Sequence, residues 1–121
     1  MYYTRKVTFV EQPIFTEQLV GLVDDETYRK FQNELASNPE KGPIVKGSGG
    51  LRKARMRLPG RGKSGGARVL YLWFPRHDTF VLYFAYTKGE MESIPAAQMK
   101  AIKHEIQRIK KAFGEADRIE S

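Results

Sequence analysis

Cations recur at every second residue through Leu51–Leu58: Lys53, Arg55 and Arg57, separated by Ala54 and Met56. In an extended strand this spacing puts the three charges on one face and Ala54, Met56 and Leu58 on the other. Like charges on one strand face repel unless water or an anion screens them. Strands also hold side chains more rigidly than loops do. The row is therefore a candidate phosphate clamp; the alternative is an exposed edge strand whose cations block aggregation. Arg52 and Lys46 add charge nearby, Arg68 opens a later apolar stretch, and Lys88 follows another. If those stretches are neighbouring strands, Arg68 and Lys88 fall near Arg55. Period two places Tyr86 with Phe84 and Lys88, opposite Tyr83. A ring beside cations suits a nucleic-acid strand, because bases stack on rings while cations hold phosphates. A core position for Tyr86 is equally open.

The remaining chemistry-bearing residues are less informative. Gly60–Gly66 carries Gly62-Lys63-Ser64, but a nucleotide-binding P-loop needs Gly where Arg57 stands and a helix where a strand begins. The segment reads instead as a Gly-rich loop whose Arg61 and Lys63 can embrace a phosphate backbone, or as an ordinary connection. His77 falls in a turn and His104 on the outer side of a helix, and no His or carboxylate spacing suggests a metal site. There is no cysteine, hence no disulfide and no thiol chemistry. No cofactor is implied.

Charge distribution sharpens the picture. The 121 residues hold 21 Lys and Arg against 14 Asp and Glu, a net charge of +7. Nine of those cations and none of the acids lie in Lys41–Arg68, which leaves 12 cations against 14 acids, or −2, elsewhere. A local excess of this kind is the footprint of a phosphate-bearing partner. No apolar run is long enough to cross a bilayer, and the first residues lack the apolar core of a signal peptide, so a cytoplasmic protein is expected.

The elements that must position these residues form one domain, 1–121. Lys6–Val10 alternates as a strand, and Pro13 to Val20 reads as a short helix ended by Gly21. Asp24 or Asp25 caps a second helix to Ser37, with Tyr28, Phe31 and Leu35 as its buried stripe. Strands follow at Leu51–Leu58, Arg68–Phe74 and Thr79–Thr87. Ser93 caps a last helix with Ile102, Ile106, Ile109 and Phe113 on one face and Gly114 as its stop. The order β-α-α-β-β-β-α predicts an α+β fold: a small antiparallel sheet with the helices packed on one face. The other face is left open for Lys53, Arg55 and Arg57.

Three stretches taken together are distinctive: Gly49-Gly50-Leu51-Arg52-Lys53-Ala54-Arg55, then Gly60 through Tyr71, then Tyr86-Thr87-Lys88-Gly89-Glu90-Met91. With the helix Tyr28–Leu35 and Asn38-Pro39, they resemble the HigB-like branch of the RelE/ParE toxin superfamily over nearly the whole chain. The resemblance implies a RelE-like fold and the toxin of a type II toxin–antitoxin module. It implies an mRNA endonuclease acting on the ribosome and held in check by a helix-turn-helix antitoxin. It matches Lys53 and Arg55 to a basic pair of the active strand, Arg68 to a phosphate-binding Arg and Lys88 to a basic residue after the last strand. Some relatives carry Arg where this chain has Gly89, and Arg61 or Lys63 could replace it.

The expected reaction is metal-independent attack of a ribose 2′-hydroxyl on the adjacent phosphate. Arg55 and Arg68 would stabilise the charge that develops. Lys53 is the candidate base, since crowded positive charge favours a neutral amine. Lys88 or Tyr86 would assist the leaving group. Arg52, Arg57, Arg61, Lys63 and Lys46 would hold the RNA. Two other readings share the same charges or fold: a non-catalytic RNA- or ribosome-binding protein, and a ParE-type toxin that inhibits gyrase.

Overall fold

The structure, a computed structural model, describes residues 6–60, 66–90 and 93–114. Arg61 and Lys63 of the Gly-rich loop lie outside them, as does the chain end from 115. The elements run β1 (Thr8–Glu11), α1 (Pro13–Val20), α2 (Asp25–Ser37), β2 (Arg52–Met56), β3 (Ala67–Phe74), a single 3-10 turn (Pro75–His77), β4 (Thr79–Thr87) and α3 (Ala96–Ala112). The α+β class and the element order agree with the sequence reading. Asp24 caps α2 by accepting from the Thr27 N–H at 2.8 Å; the Thr27 side chain first, and this N–H second, hold its carboxyl below the usual carboxylate range. The left-handed Asp78 (φ 48°) closes the tight connection from β3 to β4.

Four strands form one sheet in the order β1-β4-β3-β2. β2, β3 and β4 are an antiparallel meander, as their short loops require. β1, however, pairs parallel with β4, so the sheet is mixed and not purely antiparallel. The reason is topological. α1 and α2 carry the chain across a whole face before β2 begins at the far edge, and no hairpin dictates the direction of β1.

The helices also depart from the expected one-sided arrangement. Phe15 of α1 and Phe31 and Leu35 of α2 pack on Ala54, Met56, Val69, Tyr71, Phe80 and Leu82. Ile106 of α3, with Ile102, Ile109 and Phe113 beside it, packs on the opposite face against Leu51, Leu70, Leu72, Phe74 and Val81. Phe113 stacks on Phe74 with ring centroids 4.1 Å apart. β3 and β4 are apolar on both faces (burial is nearly continuous along each), and an apolar face cannot be left in water. α3 begins one residue after Pro95 without a side-chain cap, so Ser93 does not cap it.

A bulge interrupts β4. Leu70 faces Phe84 while Tyr71 faces Leu82, leaving Tyr83 as an extra residue. Tyr83 therefore joins the α3 side together with Tyr86, not the opposite side as strict alternation predicts. Its hydroxyl donates to Glu105 on α3. The Ala85 N–H, beyond the reach of β1, is satisfied by Gln18 Oε1 at 2.7 Å. Glu11 ties β1 to both early helices, accepting from Thr16 and Tyr28 hydroxyls at 2.7 Å each.

Phe31→Ala should destabilise the fold by about 3–5 kcal/mol through the cavity it leaves. Val20→Ala, at a position 80% exposed, should stay within about 0.5 kcal/mol of wild type. Urea unfolding followed by circular dichroism checks both; equal midpoints for the two variants would contradict the packing described.

Candidate nucleic-acid interface

Strand register decides which cations meet. Arg55 of β2 stands directly opposite Arg68 of β3, and Arg68 stands opposite Tyr86 of β4. Opposed residues have Cβ atoms about 4.5–5.5 Å apart, so the three side chains form one row across three strands on the α3 face. Lys53 lies on the same face opposite Leu70, one step along β2 from Arg55. Along that face of β2, Leu51 is buried under α3, Lys53 is half-buried and Arg55 is exposed. The cations begin where the helix stops covering the sheet, so the face is half open and not wholly so.

Several contacts aim the row. The Arg68 guanidinium donates to the Gly66 carbonyl at 3.1 Å, turning it toward the start of β3. A Cβ on Gly66 would lie 2.7 Å from the Met56 carbonyl oxygen and 3.3 Å from Arg55 Cγ, so the close approach of Arg55 depends on glycine there. β2 is not a free edge over its first half. Val45 N–H donates to Leu51 O at 2.8 Å and Lys53 N–H to Pro43 O at 3.0 Å. Gly42 permits this because a Cβ there would meet the Lys53 carbonyl at 2.6 Å. Tyr71 reinforces the strap from beneath, donating to Pro39 O at 2.7 Å and accepting from Gly42 N–H at 3.2 Å.

Tyr86 is 3% exposed, with its ring 6.2 Å from Phe84. The ring is a wall of the site and not an open stacking surface. Burial pushes its hydroxyl above the usual tyrosine value, opposed by the Arg68 charge. At neutral pH it is a hydrogen-bond donor. Lys88 is exposed in the turn after β4, where Glu90 accepts from the Thr87 N–H at 2.7 Å and donates its own N–H to Thr87 O at 3.0 Å.

Other expected residues are placed differently. Arg52 faces away from the row, toward Tyr71, and is engaged by the strap: 2.8 Å to Gly42 O and 3.6 Å to the Glu40 carboxylate. Lys46 is exposed on the loop that follows the strap, beside Gly47, which packs near Met99 of α3. Arg57 is exposed and lines a cavity with Glu34, Lys41 and Arg55. Lys103 and Lys110 of α3, not singled out from sequence, flank Gly49 and Gly50. Their helix is itself basic, with Glu105 its one acid, but only the packing of that loop on α3 brings Lys103 and Lys110 alongside the basic stretch. His77 holds the end of α3 through Phe113 O at 3.0 Å, and His104 is exposed. Among the described residues no three His, Asp or Glu gather as a metal-binding group.

No family model matches the chain. Solved structures do. The E. coli RelBE toxin–antitoxin complex contains a chain that superposes with a TM-score of 0.52 at 15% identity, covering 68% of this protein and 96% of that one. The fold is that of the RelE-like toxins. An arginine-to-alanine double mutant of free E. coli RelE matches with a TM-score of 0.53 at 15% identity, covering 71% and 87%. A metal-bound toxin from Helicobacter pylori matches at 0.52 and 17%, covering 71% and 99%. In this RelE-like frame the sheet supplies the row and α3 closes only half of the face that bears it.

Gly66→Ala should lower the affinity for inorganic polyphosphate without unfolding the domain, because the added methyl displaces Arg55 or parts β2 from β3. Isothermal titration with a circular dichroism control measures it, and wild-type affinity would show that Arg55 is not held there. Tyr28, Tyr71, Tyr83 and Tyr86 all sit above the ordinary tyrosine value of 10.0, with burial the largest cause in each. A folded-state value above the unfolded one gives stability that is complete below pH 10 and is lost as pH rises past it. Urea midpoints should thus hold up to that pH and fall above it, with tyrosinate absorbance rising as the protein unfolds.

Proposed function

We propose that the protein is the toxin of a type II toxin–antitoxin module and cleaves mRNA on the ribosome without a metal. The in-register row Arg55–Arg68–Tyr86 with Lys53 beside it is the observation that carries this reading. The likeness to RelE toxins, one of them in a complex with its antitoxin, supports it at the level of fold.

In the proposed reaction Arg55 and Arg68 grip the scissile phosphate. A guanidinium stays charged and offers paired donors matched to phosphate oxygens. Strand register brings both side chains to one row before substrate arrives, and Arg68 is aimed by its bond to the Gly66 carbonyl, which limits the reorganisation needed as charge builds. Lys53 takes the proton of the 2′-hydroxyl. The 2′ oxygen bonds to phosphorus, the bond to the 5′ oxygen breaks, and a 2′,3′-cyclic phosphate and a 5′-hydroxyl result. Tyr86, which keeps its proton through neutral pH, gives it to the departing 5′ oxygen to complete the 5′-hydroxyl, and Lys88 in the turn after β4 is the alternative proton donor. Arg57 and Lys46, with Arg61 and Lys63 of the Gly-rich loop, hold the strand on either side. Arg52 contributes by fixing the strap. The partners are ribosome-bound mRNA and a helix-turn-helix antitoxin, and the setting is the cytoplasm.

Arg68→Ala and Lys53→Ala should each reduce cleavage of mRNA on programmed ribosomes by about 10²–10³-fold, the scale of losing a positioned charge or base. Tyr86→Phe and Lys88→Ala compared in the same assay identify the donor by the larger loss. Unchanged cutting by the first two variants would remove the catalytic assignment. Salt-dependent RNA binding with no cleavage by wild type would leave an RNA-binding protein.

A further inference from the structure

Arg55 borders two sites. On one side it meets Arg68 in the row just described. On the other it lines a surface cavity of about 460 Å³ at the β2 edge whose walls are Glu34, Lys41, Arg55 and Arg57. All four are charged side chains, three of them cations. The two arginines have no hydrogen-bond or ion-pair partner among the described residues. Lys41 is 3.8 Å from Glu34, with side-chain exposures of 32% and 52%. An ion pair that open contributes little to stability and is easily exchanged for another anion. The strap over β2 ends at Lys53, so the strand edge beside Arg55 and Arg57 is uncovered by it.

We propose that Lys41, Arg55 and Arg57 form a second phosphate subsite, in which the Glu34 carboxylate, paired with Lys41 in the free protein, competes with the incoming anion. Its ligand is the backbone phosphate of an RNA strand neighbouring the one gripped at Arg68, which rests on the RNA-cleaving reading above. Arg55, shared by the two sites, is where the strand turns from the α3 face over the β2 edge toward α2. Glu34 must be displaced for this to happen. It keeps the subsite from collecting free anions and weakens capture of any strand too short to reach both sites.

The test uses a short, end-labelled 2′-O-methylated RNA, which keeps its phosphates but has no free 2′-hydroxyl to attack, titrated by fluorescence anisotropy across a salt series. Glu34→Gln should bind about three- to tenfold more tightly at low salt, with the gain shrinking as salt screens it. Arg57→Ala should weaken binding and flatten the slope of log affinity against log salt by about 0.7, one single-strand phosphate contact. Adding Arg57→Ala to Glu34→Gln should cancel the gain. Wild-type affinity in Glu34→Gln together with an unchanged slope in Arg57→Ala would overturn the subsite, while weakened binding by Arg68→Ala in the same series would leave the RNA reading intact. Absence of salt-dependent binding by wild type would overturn both. Both positions are exposed surface residues, and thermal unfolding confirms that the variants are folded.

Discussion

Two arginines are held in register on adjacent strands, and everything distinctive about the α3 face follows from that constraint. Arg55 and Arg68 repel each other in the empty protein. Among the described residues the hydrogen-bond partner of this pair is the Gly66 carbonyl, which takes one Arg68 N–H. The sheet imposes the proximity through backbone hydrogen bonds and the burial of Ala54, Met56, Val69 and Leu70 on either side. Crowded charge of one sign is cheapest when a dianionic or polyanionic ligand lies between, so stability given up in the free state returns as affinity.

The rest of the architecture keeps that constraint from relaxing. Two helices seal one face of the sheet and the third seals half of the other, so β3 and β4 cannot slide without exposing a core. β2 lies at the end of the sheet, where a strand is most easily displaced, and the segment around Pro43–Val45 straps it down. Tyr71 and Arg52 both hold the chain where it enters the strap, around Pro39–Gly42, one through a buried hydroxyl and the other through carbonyls and Glu40. Neither touches the row, yet both keep Lys53 and Arg55 at their stations.

Much of this was legible in the chain. Alternation placed Lys53 and Arg55 together, and Pro13, Gly21, Asp24 and Asn38 marked the limits of α1 and α2 with local chemistry alone. The facing of Arg68 and Tyr86 followed only once strand pairing was known. The parallel seat of β1 was invisible because its partner lies some seventy residues away and no turn connects them. Two-sided burial was readable in principle: the apolar runs Val69–Phe74 and Phe80–Tyr86 lack the polar alternation of a half-solvated strand. Arg52 was misleading in the other direction, since charge and position alone do not reveal that its guanidinium is spent on the protein's own carbonyls. Glu34 sits in an ordinary helical turn, and only folding brings it to the basic edge.

The irregularity at Tyr83 has a wider meaning. One surplus residue resets the inward–outward phase of β4 halfway along, so the segment beside β1 and the segment beside the row follow independent parity. Were the strand uninterrupted, residue 86 would project into the core behind the sheet and residue 85, an alanine, would stand next to Arg68. A single inserted residue thus determines whether a phenol or a methyl group confronts the guanidinium. Gln18, by supplying the hydrogen bond that Ala85 would otherwise lack, is what makes the misalignment tolerable.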